Sequence, residues 1–334
     1  MKSFKYIVLG MLALCSWACN DDVIEKINEV YPDHTTYYYY SFFMQHKLGS
    51  ETTDKWDAGD LQPGAVCVKG DTVLVANKKE GRYGVWLFDK KKQTVIGKID
   101  TRISNEMFES SLDEMPLAIA AGNERIYVAA GHYIHVYDDT TLKPLFFLGN
   151  GTWSMIDRPS AMVYADNKLF VREKRAIYTI DALKLTVANL GEMPLINKSG
   201  ELNPNYHYTH AMAPGKDNRV YVTNGYENKM YSFDPKLVNE TTSPNLRIVN
   251  FTLPFAPIAF GMYDNFACVA GNNTMKWINV DEDKEENDLR NLGEYKFDTV
   301  AGMALDGDSI FATDTKQEKL IHIGITKTEI KEFK

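Results

Sequence analysis

Pro159-Ser160-Ala161-Met162-Val163-Tyr164-Ala165-Asp166-Asn167-Lys168-Leu169-Phe170-Val171, followed shortly by Ala176-Ile177-Tyr178-Thr179-Ile180-Asp181, sets the pattern for the whole chain. Apolar and polar residues alternate with period two, which is the pattern of half-buried strands. Asp166-Asn167 between the first two runs supplies residues that tolerate a tight turn. The unit therefore reads as strand, turn, strand, short loop and a third strand closed by Asp181.

The unit recurs six times. Small residues open the first strand at Ala65, Ala118, Ala161, Ala211, Ala259 and Gly302. The apolar centre of the second strand follows at Leu74, Tyr127, Phe170, Tyr221, Cys268 and Phe311, an offset of 9 residues in five copies and 10 in the fourth. The third strand ends at Asp89, Asp138, Asp181, Asp234 and Asp281, with Gly324 in the last copy. A fourth run follows each time, at 94–99, 144–148, 186–190, 246–251, 294–297 and 329–333. Four strands per 40 to 50 residues is the signature of a propeller, because a lone four-stranded sheet has two apolar faces to cover and stacks on its neighbours. The expected fold is all-β, a six-bladed β-propeller of four-stranded antiparallel blades. The repeated Asp residues read as turn formers that bond their own backbone.

Copy four carries Val220-Tyr221-Val222-Thr223-Asn224. That string is similar to the signature of YVTN propellers, found in extracytoplasmic bacterial proteins, and the broader repeat resembles NHL-type blades. The resemblance covers 63–334 by pattern, with the literal motif present once. It implies a propeller of the bacterial cell envelope, and it keeps a seven-bladed ring as the alternative count. Residues 34–62 are left over. Their strand-like run at 35–44 is a candidate to pair with the edge of the sixth copy, as is the tail at 327–333.

The first residues read as an address. Lys2 and Lys5 precede an apolar run from Tyr6 to Leu14, too short to span a bilayer, and Ala18 stands before Cys19. This layout resembles a lipoprotein signal, with 1–18 removed, Cys19 acylated, 19–33 a tether and 34–334 a single propeller domain. Asn20, Asp21 and Asp22 resemble an export tag to the outer cell surface, and read equally well as the start of a solvated linker. The net charge of −8 becomes about −10 without the leader, which removes two lysines and no acid. So acidic a body argues against nucleic acid as a partner. Cys67 and Cys268, each in an apolar run, read as small core residues rather than a disulfide.

In a propeller the loops entering each first strand share one face with the loops between second and third strands, and rigid blades hold them. Mapping the repeat onto that rule yields the candidate ligand-binding residues Trp56, Trp153, Arg158, Arg172, Tyr206, His207, His210, Asn224 and Tyr226. Aromatic faces with guanidinium, imidazole and amide groups suit a ring-shaped polar ligand. Arg172 to Arg175 is a charged hairpin tip, solvated or gripping an anion, and His132 and His135 read as exposed. His207 and His210 lack an evident third ligand for a metal. No Gly-rich phosphate loop or nucleophile elbow is present. No cofactor, metal ligand or catalytic residue is expected. The expected function is a lipid-anchored binding protein of the outer membrane, capturing a small molecule or glycan or docking an outer-membrane transporter. A metal-dependent lactonase-like hydrolase or lyase is the alternative, with Asp298, Asn224 and His210 as partial material. A protein–protein scaffold is the third reading.

Overall fold

The computed structural model describes residues 34–39; 61–149 apart from 93, 100–102, 106–107 and 111–113; 158–185 apart from 174–175; 195–198; 211–288 apart from 216, 226, 254, 264–265, 272 and 281–283; and 297–331 apart from 325. Among them lie six successive antiparallel sheets. Sheets 1 (63–99), 2 (116–148), 3 (161–198), 4 (212–252) and 5 (259–288) have four strands each, and sheet 6 (300–324) has three. In every sheet the strands neighbour one another in chain order.

Local chemistry explains the hairpins. Asp166 and Asn167 adopt φ of 49° and 56°, and Asn123 and Glu124 adopt 51° and 57°. Two left-handed residues in a row form the turn whose twist matches the flanking strands. The longer offset of the fourth copy is a wider turn there, in which the Gly215 N–H donates to the Arg219 carbonyl and Asn218 takes φ 61°. Four of the repeated aspartates are turn formers, and Asp281 lies outside the described residues. Asp89 Oδ1 accepts from the N–H groups of Lys91 (2.9 Å) and Lys92 (2.7 Å), and Asp138 Oδ1 from those of Thr140 (3.1 Å) and Thr141 (2.6 Å). Asp181 does the same for Leu183, and Asp234 for Lys236.

The cores lie between sheets. Period-two alternation sends Tyr127, Leu169, Val171 and Tyr178 into the interface of sheets 2 and 3, and Leu74, Ile126, Val128 and Tyr137 into that of sheets 1 and 2. Phe170 meets Phe233 edge-on at 5.0 Å between sheets 3 and 4. The first strands Pro63–Lys69, Pro116–Gly122, Ala161–Ala165, Met212–Pro214, Ala259–Tyr263 and Val300–Asp306 contact each other in sequence order, and the last contacts the first. That last junction is a seam between sheets 6 and 1. Phe311 and Leu320 pack with Leu61, Val73 and Phe88 across it. Thr313 Oγ1 donates to the Gly64 carbonyl (2.6 Å) and Thr315 Oγ1 to the Pro63 carbonyl (2.5 Å), while Lys90 pairs with Asp306. Gly302 is needed at this seam, because a Cβ there would overlap the Gly64 carbonyl.

Three fourth strands differ from the expectation, the first being that of sheet 3, which is Leu195–Lys198 rather than the run at 186–190. In sheet 5 the outer strand is the charged run Lys284–Asp288, ahead of the run at 294–297 expected there. An outermost strand needs no apolar face and is kept from aggregating by charge, so polarity does not separate it from a loop. The segment expected to complete sheet 6 pairs elsewhere. Thr326–Lys331 runs antiparallel to His34–Tyr39, with His34 opposite Lys331 and Tyr39 opposite Thr326. This two-stranded sheet of Thr- and Tyr-rich segments forms a unit by itself. A further hairpin, Ile103–Asn105 with Phe108–Ser110, accounts for the long spacing between the first and second copies.

Candidate functional site

All six small anchor residues, scattered over 240 residues of chain, line one cavity of about 440 Å³. Ala65, Ala118, Ala161, Ala211, Ala259 and Gly302 face it together. The residue after each anchor (Val66, Ile119, Met162, Met212, Phe260 and Met303) lines this chamber and also a second one of about 170 Å³. These six side chains form a waist between the chambers. Beyond it the walls are Cys67, Ala120, Val163, Ala213, Gly261 and Ala304, with Asp306 at the far end.

The larger chamber opens on the face that carries the strand-entry loops, since Arg158, Pro159, Ser160, Ile258 and Thr299 line it. Lys78, in the turn after the second strand of sheet 1, joins them. Its position is fixed by Asn77, which is fully buried. Asn77 Oδ1 accepts from the N–H groups of Gln62 (2.8 Å) and Lys79 (3.2 Å), and its Nδ2 donates to the Arg82 carbonyl (2.9 Å). The Lys78 stem lies over Gly64, where a Cβ would collide with it. Burial holds the Lys78 ammonium below the usual lysine range. Sheet 6 repeats the device: Asp314 Oδ2 accepts from the Asp298 N–H (2.7 Å) and Oδ1 from the Thr299 N–H (3.1 Å).

Arg158 takes φ 49° and donates its N–H to the Gly131 carbonyl (3.0 Å), tying the entry of sheet 3 to a turn of sheet 2. Its side chain is exposed. It also lines a side cleft of about 330 Å³ with Glu114, Met115, Leu117, Gly131 and His132. Glu114 Oε2 is buried there with no hydrogen-bond partner among the described residues.

Of the candidates read from sequence, Arg158 stands at the axial chamber. Arg172 ends the second strand of sheet 3 and is 2% exposed, on the same strand face as Phe170, and lines neither chamber. Burial lowers its guanidinium to about 10. Asn224 Oδ1 accepts from the Glu227 N–H (3.3 Å) within a turn. Trp56, Trp153, Tyr206, His207, His210 and Tyr226, together with Cys19, lie outside the described residues. His135, read as exposed, is fully buried: it shares a strand face with Tyr137, which packs between sheets 1 and 2. Cys67 and Cys268 are free thiols, and burial pushes that of Cys67 up to about 12. Sequence reasoning missed Lys78 and Glu114. The usable signal was Asn77, which stands three residues past Leu74 as Asp314 stands past Phe311.

No family model and no curated protein matches this chain. Solved structures do. The chain is similar to a protein of unknown function from Bacteroides thetaiotaomicron VPI-5482, at a TM-score of 0.58 and 11% identity over 87% of this chain and 77% of that one. It is also similar to the β-propeller domain of Cps50 (Swd1) from Myceliophteria thermophila, at 0.53 and 9% over 80% and 97%. Streptogramin B lyase matches at 0.52 and 13% over 86% and 98%. At such identities the likeness shows the fold alone: the chain is a β-propeller.

Proposed function

We propose that this chain is a six-bladed propeller lipoprotein of the cell envelope that binds a small molecule at the axial mouth without transforming it. Six sheets in chain order, and first strands that contact each other with the last against the first, support the count of six. The observation that carries the binding reading is the chamber of about 440 Å³, lined by residues from all six sheets with Lys78 and Arg158 among them. A concave, mostly apolar space of this volume with a few convergent polar groups is what small-molecule sites look like. Trp153, Tyr206, His207 and His210 precede sheets 3 and 4 in sequence and are proposed to add to the same rim.

A thermal-shift screen of metabolites, glycans and chelates against the purified chain is expected to give a hit that weakens in Lys78→Met. A flat screen would overturn small-molecule binding in favour of a protein-docking scaffold. Turnover of a hit that is lost on chelation would restore the lactonase-like alternative. The anchor is tested separately. Cells fed labelled palmitate should label the wild-type chain and not Cys19→Ala, and an unlabelled wild type removes the anchor.

A further inference from the structure

We propose that the larger axial chamber takes an organic anion with an apolar body, its head group against Lys78 and Arg158 and its body among the anchor residues and the waist. The inference deepens the small-molecule reading above and rests on it. The wall chemistry comes first. Apart from Lys78, Arg158, Ser160 and Thr299, every described residue lining the chamber is Ala, Val, Leu, Ile, Met, Phe, Pro or Gly. Among the described lining residues a sugar would find one aromatic ring, Phe260, and two side-chain hydroxyls. The side chains there offer a sugar's several hydroxyls few partners, and each hydroxyl left unpaired costs about 1–3 kcal/mol. An apolar body loses nothing by the same transfer.

Charge supplies the other half. Both ionisable residues lining the chamber are cations, and no carboxylate lines it among the described residues. Neither cation has a salt bridge among them, in a chain whose net charge is −8. Glu114 belongs to the side cleft. Lys78 is half-buried and its backbone is fixed by the Asn77 turn, so part of the cost of desolvating an ammonium is already met in the free protein. An anionic head restores what burial removed. The waist is soft: Met162, Met212 and Met303 supply half of it, and thioether chains adapt to bodies of different shape.

The test uses the full mature chain and three probes of matched length below their micelle concentrations: decanoate, decanol and decyltrimethylammonium. Calorimetric titration is expected to show one decanoate bound per chain, at least about tenfold weaker binding of decanol, and none of the cation. Lys78→Met keeps the stem over Gly64, and Arg158→Asn suits the left-handed backbone. Each should weaken decanoate by about 10- to 100-fold, the worth of a hydrogen bond to a charged group, and leave decanol unchanged. Melting by circular dichroism checks that both variants fold. Equal affinity for decanoate and decanol, or equal loss of both in the variants, overturns the proposal. So does Lys78-dependent sedimentation with phosphatidylglycerol vesicles in the absence of decanoate binding, which would make the anion a membrane surface. If all three probes fail while a neutral polar hit from the screen binds in a Lys78-dependent way, the ligand class falls and the small-molecule reading stands. If nothing binds, both fall.

Discussion

His135 is a residue whose burial has a measurable cost. It sits between Tyr133 and Tyr137 on one strand face, 0% exposed, with both ring nitrogens unpartnered among the described residues. Burial lowers its pKa from 6.5 to about 4. Between those values the unfolded chain binds a proton that the folded chain refuses. Its share of stability is therefore complete above pH 6.5 and lost as the pH falls toward 4, by up to about 3 kcal/mol. His135→Phe should flatten the pH dependence of the urea midpoint between pH 6.5 and 4.5, and an unchanged slope would remove this account. The same residue shows where reading from sequence stops. Period two tells which residues share a face, but both faces of a sheet in this stack meet a neighbour, so a polar side chain that would be solvated on a half-exposed sheet is buried here. Arg172 went astray for that reason. Lys78 was passed over because a lysine on a loop reads as solvated, and only the Asn77 turn brings it over the axis.

At the scale of elements, the inner parts of each sheet were legible and the outer parts were not. First, second and third strands combine apolar alternation with turn residues, and the small anchors mark where sheets crowd together. The fourth strands at 94–99 and 144–148 fell where expected because they retain apolar residues facing a core. Lys284–Asp288 did not, since water on its open edge accepts any polar sequence. The Asp166-Asn167 turn gives the element its own test. Asn167→Val should lower stability by about 1–2 kcal/mol in chemical denaturation, the cost of a left-handed backbone for a β-branched residue, whereas Asn167→Gly should stay within a few tenths of the wild type. Equal effects of the two would mean that the backbone angle is not the determinant.

For the whole molecule, the seam between sheets 6 and 1 differs in kind from the other junctions. Sheets 1 to 6 follow one another along the chain, so neighbouring sheets are close in sequence. The two hydroxyl hydrogen bonds of the seam instead join residues 249 and 252 positions apart. Thr313→Val keeps the shape but leaves the buried Gly64 carbonyl without its donor, and should cost about 1–3 kcal/mol. Time is where the seam has its larger consequence. Contacts that close long loops carry the highest entropic barrier and tend to form late. Sheets can therefore add to one another by short-range docking, as units do in repeat proteins, before the first and last meet. If the seam is still open at the rate-limiting barrier, the missing bond of Thr313→Val should appear almost wholly as faster unfolding, with refolding barely changed. The lifetime of the closed ring would then be set by its last-made junction.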